Sequence, residues 1–169
     1  MAAPTAGLHF NEQLLAKLAT CDVLQERVTL HVGVGTFRPV STERLEEHVM
    51  HSEWGEVSES VADAINITRA TGGRAIAVGT TSVRTLESAA ASGPTRSLTA
   101  WQGKTDLFIR PPYSFSVVDG LITNFHLPKS TLLVLVRTFG GDELMRRAYQ
   151  VAIEEEYRFY SYGEAMLIL

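Results

Sequence analysis

Between Arg74 and Ser92 the chain reads RAIAVGTTSVRTLESAAAS, an apolar run that passes without interruption into a helical pattern. A short continuous run of small and β-branched apolar residues suits a strand covered on both faces, since a half-exposed strand would alternate with polar residues. The stretch after it predicts a helix with Thr81 or Ser82 as its N-cap. A strand joined so tightly to a helix is the βα unit of layered α/β folds. The join leaves unpaired backbone N–H groups, with the hydroxyls of Thr80, Thr81 and Ser82, facing the crevice beyond the strand's carboxyl end. An anion or a polar ribose would be well received there. Capping uses one hydroxyl and not three, so the trio reads as a ligand site.

The segment LITNFHLPKSTLLVLVRTFGG, Leu121 to Gly141, repeats the design: an apolar strand end, then Asn124 and His126, then Ser130 opening a helix. Two such turns in one sheet would face the same crevice. Elsewhere Asn11 caps a helix NEQLLAKLAT with Leu14, Leu15 and Leu18 on one face, and RVTLHVGVGTF reads as a strand ending in glycines. Gly33 and Gly35 there permit a close backbone approach, although G-x-G alone is a weak dinucleotide signal. Ser41 or Thr42 starts a short helix through His48, and Ser58 to Ala70 is amphipathic, stopped by TGG. SGPTRSLTAWQGK, Ser92 to Lys104, has loop composition; TDLFI and VVDGLITNF read as strands. Helices are expected at Ser130–Phe139 and Asp142–Tyr157, and AMLIL as a last strand. The alternation predicts a three-layer α/β/α fold with a largely parallel sheet.

A chain of 169 residues, 45% apolar and 20% charged, is long enough for one domain with a developed core. A net charge of −4 excludes a whole-molecule basic field, leaving local cations such as Lys129, Arg137, Arg146 and Arg147. The longest apolar run, Leu132 to Val136, is far too short to cross a bilayer. The start lacks the basic and long apolar regions of a signal peptide, and the lone Cys21 fits a reducing compartment, so a cytoplasmic location is expected. Apolar, motif-like ends, AAPTAGLHF and MLIL, read as part of a longer protein.

The histidines are His9, His31, His48, His51 and His126. HVMHSE is not the H-E-x-x-H of a zinc helix and no Cys pair supports it, so no metal is expected. His31, His51 and His126 flank turns beside Gly, Glu or Asn, which favours functional roles. The absence of G-x-x-x-x-G-K-[ST] disfavours a P-loop hydrolase.

The stretches AAPTAGLHF, TLHVGVGTFRPV, HVMHSE, AVGTTSVRTLESAA, TDLFIRPPYSFSVVDGLITNFHLPKSTLLVLVRTFGG and YRFYSYGEAMLI span Ala2 to Ile168. In content and order they resemble the S-adenosylmethionine:tRNA ribosyltransferase-isomerase family of queuosine biosynthesis. Departures are small: RPPY where the family usually has Pro-Gly, a short Ser92–Lys104 loop, and Glu164 where Asp is usual. Family members carry a further N-terminal portion with a separate β-barrel domain. The resemblance covers only the later part of the α/β domain, so residues 1–169 are expected to form a single, incomplete α/β domain without the barrel.

The resemblance implies a reaction. The ribosyl group of S-adenosylmethionine passes to 7-aminomethyl-7-deazaguanine at the tRNA wobble position and is rearranged to epoxyqueuosine, releasing adenine and methionine. The partners implied are that tRNA and S-adenosylmethionine as ribosyl donor, with no separate cofactor and no membrane. The alternative is a truncated, non-catalytic fragment or binding remnant. A base must take a proton beside the sulfonium and a donor must meet the departing adenine. His126 or His51 is expected as base or acid, with Glu53 assisting. Thr80, Thr81 and Ser82 would bind ribose or the methionine carboxylate, and Asn124 the nucleoside. Arg84 and Arg158 are anion contacts in this reading, or ion-pair partners of Glu87 and of Glu154 or Glu155. YRFYSYG would either stack bases or plug a sheet edge.

Overall fold

Side-chain caps written into the sequence set most helix starts. In a computed structural model, which describes residues 5–33, 39–93 and 97–169, Asn11 accepts from the Leu14 amide at 2.8 Å and opens α1 (Glu12–Ala19). Ser58 accepts from Val61 and opens α2 (Glu59–Ala70); Ser130 accepts from Leu133 at 3.1 Å and opens α4 (Thr131–Gly140). α3 (Thr80–Ser92) departs from this rule. Its N-cap is Gly79, at φ 91°, a conformation that L side chains avoid. The expected caps Thr81 and Ser82 therefore lie inside the first turn. α5 (Asp142–Glu154) begins with Asp142 and Glu143, carboxylates that suit the positive end of a helix.

The strands are β1 (Thr29–His31), β2 (Glu53–Val57), β3 (Ile76–Val78), β4 (Trp101–Thr105), β5 (Gly120–Asn124) and β6 (Ala165–Ile168). They form two small sheets, not one. The first, in the order β1-β2-β4, is antiparallel throughout; the second, β3-β5-β6, has one parallel pair, β3 with β5, and an antiparallel β6. The expectation of a largely parallel sheet is thus corrected to a mixed α/β fold. The alternation of helices and strands misled for two physical reasons. β2 leads through α2 to β3, and β3 through α3 to β4, so each of these helices joins strands of different sheets. Two successive helices, α4 and α5, separate β5 from β6, and the chain comes back antiparallel.

α3 packs against strands of both sheets. It is buried nearly all round: Val83, Leu86 and Ala89 join the core, and Arg84, Thr85, Glu87 and Ser88 are buried too. Burying a helix on its polar sides requires partners for each polar group. Ser88 meets Thr105 at 2.6 Å, and Glu87 accepts from the backbone of Ser116, Val117 and Val118 and from the Tyr113 hydroxyl. Tyr113 stays protonated, burial and the neighbouring Glu87 carboxylate pushing its pKa up. Strand β4 occupies part of the stretch read as a loop, and TDLFI is strand only at Thr105. The short helix expected from Ser41 or Thr42 through His48 shrinks to a 3₁₀ turn at Leu45–Glu47, preceded by Arg44.

Candidate functional site

Parallel pairing fixes where the two strand-to-helix turns lie. Val78 is opposite Ile122, and the Gly79 amide donates to the Ile122 carbonyl at 2.8 Å. Both chains therefore leave the sheet at the same end: one enters α3 through Thr80–Ser82, the other runs through Asn124, Phe125 and His126 toward α4. This is the end of a parallel pair at which α/β folds bind ligands.

A third segment lies across it. Thr5–His9 is a 3₁₀ turn packed on β5. Ala6 is buried, its Cβ 3.6 Å from where a Cβ on Gly79 would stand. His9 is exposed, and its Nε2 is 3.0 Å from the amide nitrogen of buried Asn124. Nearby the Tyr160 amide donates to the Phe125 carbonyl at 2.9 Å, which brings the 3₁₀ turn Tyr160–Tyr162 against Thr5–His9.

His126 is only 8% exposed. Its Nε2 lies 2.9 Å from the Thr123 hydroxyl, and its backbone N–H donates to the Tyr149 hydroxyl. Burial pushes the imidazole pKa down to about 4, so the ring is neutral at neutral pH. Of the hydroxyl trio, Ser82 is spoken for, donating to the Val78 carbonyl at 2.8 Å, while Thr80 is buried and Thr81 half-buried.

Glu53 and Arg84 form a second, buried cluster. The two side chains pair directly, Arg84 Nε donates to the Leu107 carbonyl at 3.2 Å, and Glu53 accepts from the Gly33 amide at 2.8 Å. Arg84 therefore pairs with Glu53 and not with Glu87, whose carboxylate is already filled by donors. Arg84 Nη2 is buried with no hydrogen-bond partner. Arg158 pairs with Glu164 rather than with Glu154 or Glu155, and both the side chain of Arg158 and that of His51 are exposed. Gly35 lies outside the described residues. In YRFYSYG, Tyr157 and Phe159 pack their rings on Phe125 at 5.8 and 5.3 Å, as an edge plug would, whereas Tyr160 is exposed.

Just past His126 a groove of about 520 Å³ is lined by Val40, Ser41, Glu43, Lys129, Leu133 and Arg137 among others. The Val40 amide donates to the Lys129 carbonyl across it at 2.7 Å. Among the described residues no group of three or more His, Cys, Asp or Glu is gathered as a metal site, and no helix is long and apolar enough to cross a membrane. Sequence reasoning passed over His9 and Tyr149. Neither carries a spacing signal, and their roles arise from contacts between segments far apart in the chain.

The family model for queuosine biosynthesis proteins matches residues 1–168. Among curated proteins, the S-adenosylmethionine:tRNA ribosyltransferase-isomerase of Cupriavidus metallidurans is 59% identical over 168 residues, 99% of this chain and 47% of that protein. The protein of that name from Acaryochloris marina is 56% identical over 169 residues, 100% of this chain and 45% of its own length. The crystal structure of an S-adenosylmethionine tRNA ribosyltransferase from Thermotoga maritima superposes with a TM-score of 0.80 at 44% identity, covering 97% of this chain and 51% of that one. The chain spans about half the length of the curated relatives it matches. With the match running along nearly every residue, the chain belongs to the queuosine biosynthesis protein family.

Proposed function

We propose that this chain binds S-adenosylmethionine across the carboxyl ends of β3 and β5 and takes part in moving its ribosyl group onto tRNA. The substrate base is 7-aminomethyl-7-deazaguanine at the wobble position. The reaction transfers and isomerises the ribosyl moiety to give epoxyqueuosine, with adenine and methionine released, in the cytoplasm. The observation that carries the reading is the hydrogen bond from Gly79 to Ile122, which puts Thr80–Ser82 and Asn124–His126 at one sheet end in a chain of this family.

In this reading the free N–H groups at the start of α3 and the Thr80 and Thr81 hydroxyls receive ribose oxygens or the methionine carboxylate. Asn124 holds the nucleoside side. His126, neutral and buried, serves as a hydrogen-bonding partner there; a base whose conjugate acid sits near 4 takes protons poorly at neutral pH. His51 remains the candidate for proton transfer on the solvent side. Glu53 acts by fixing Arg84, whose remaining Nη2 donor faces an anionic group of the ligand, with Gly33 tying Glu53 down. Arg158, Lys129 and Arg137 supply cations for the tRNA backbone, and Tyr160 a ring for stacking.

The test is release of free adenine, followed by chromatography, from S-adenosylmethionine mixed with the purified chain and tRNA carrying the modified base. Adenine should appear in step with ribosylated tRNA, and Asn124→Ala should slow it by about tenfold, the loss of one hydrogen bond. Wild-type turnover without tRNA modification, or none at all, would sink the catalytic reading. A second reading, binding of S-adenosylmethionine without turnover, has as its mark saturable S-adenosylmethionine binding with no adenine.

A further inference from the structure

We infer that His9 touches the nucleoside directly, as a hydrogen-bond donor whose tautomer is set by Asn124. The inference rests on the S-adenosylmethionine site proposed above and adds to it a residue and its polarity.

Asn124 fixes the ring. Its side chain is 3% exposed at the end of β5, and its amide nitrogen lies 3.0 Å from His9 Nε2. An amide nitrogen bears two hydrogens and no usable lone pair, so it donates and Nε2 accepts. With Nε2 accepting, the ring's N–H sits on Nδ1. One edge of His9 is thereby anchored to a buried group, and the other carries an N–H and no lone pair. His9 itself is exposed, in a turn fixed over Gly79 by Ala6, and a Cβ on neighbouring Gly7 would meet nothing within 4 Å. The ring is thus held at Asn124, on the turn that follows β5, while the residue itself stays exposed.

The other histidines lack this combination. His126 is buried against Thr123, His31 lies 4.9 Å from Trp54, His48 lies 5.4 Å from Phe108, and His51 precedes β2 on the other sheet. A purine nucleoside offers acceptors, the ring nitrogens and ribose oxygens, to such an N–H. When the purine leaves it keeps the electron pair of the broken bond, and a donor already aimed at it stabilises that charge. A fixed Nδ1–H tautomer selects for acceptors and against donors at this point of the ligand.

Two measurements on the full chain test this. Nitrogen-15 imidazole spectra should show His9 as the Nδ1–H tautomer, and its signals should move when S-adenosylmethionine is titrated in. By calorimetry, His9→Ala should bind S-adenosylmethionine about tenfold more weakly, the scale of one hydrogen bond, while His9→Asn, which keeps an N–H donor, should recover most of the affinity. His9 is exposed, so both variants should fold. An Nε2–H tautomer, or unchanged affinity in His9→Ala, overturns the inference and leaves the S-adenosylmethionine site standing. A wild-type chain that binds no S-adenosylmethionine overturns that site and this inference together.

Discussion

Placing an imidazole in a core costs hydration of its charged form, and His126 bears that cost: 8% exposed, with a pKa pushed from 6.5 down to about 4. The sign follows from linkage. Between pH 6.5 and pH 4 the unfolded chain binds the proton and the folded chain does not, so the stability from this residue is complete above 6.5 and declines as pH falls toward 4. The loss should reach about 2 kcal/mol between pH 7 and pH 5. Urea unfolding of wild type and His126→Gln at the two pH values checks it: the loss between them should be smaller in the variant by about 2 kcal/mol, and equal pH dependence in both would refute the assignment. At this scale the sequence was informative where a polar residue interrupted an apolar run. Asn124 and His126 stood out for that reason, and both are buried at the strand end. His9 did not, because nothing local shows that a residue so far from Asn124 in the chain meets it. Arg84 shows the same limit. Glu87, three residues on along the helix, was the obvious partner, yet Glu53 from another strand is the one that reaches it.

Element boundaries were legible wherever one side chain decides them. Asn11 caps the helix that the sequence assigned to it, and Ser58 and Ser130, read as the first residues of their helices, are the N-caps of α2 and α4. The start of α3 was harder, since Thr80, Thr81 and Ser82 are all good caps and a glycine with positive φ took the position. β4 was hidden because WQGKT has a single large apolar residue, Trp101, to mark its inward face; it is a strand because it pairs with β2. Glu87 is the least expected group on α3, a buried carboxylate whose four hydrogen-bonding neighbours, Tyr113, Ser116, Val117 and Val118, include no cation. It pins residues 113–118 to the helix. Glu87→Ala should leave those donors unpaired and lower unfolding free energy by about 3 kcal/mol or more, with faster proteolysis at 113–118. A variant with the wild-type urea midpoint would show that the clamp contributes little.

Over the whole molecule, the class was readable and the sheet arrangement was not. Periodicity reports which residues are buried, not which strand lies beside which, and here α2 and α3 each link strands of different sheets. The parallel pair that did form is the one that matters, because it aligns the two turns. If S-adenosylmethionine binds the folded chain alone, its saturating addition stabilises the whole fold. At a ligand concentration of a hundred times Kd the gain is about 2.7 kcal/mol. For a chain of this size that should raise Tm by about 5–10 °C. S-adenosylmethionine that leaves Tm unchanged would count against binding.

If the proposed site is right, Thr5–His9, Gly79–Ser82 and Asn124–His126 meet the same ligand. Amide hydrogen exchange with and without S-adenosylmethionine tests it most directly. Exchange should slow in all three segments together, with little change around the Val40–Arg137 groove. Protection confined to that groove, or to one turn without the other two, would contradict it.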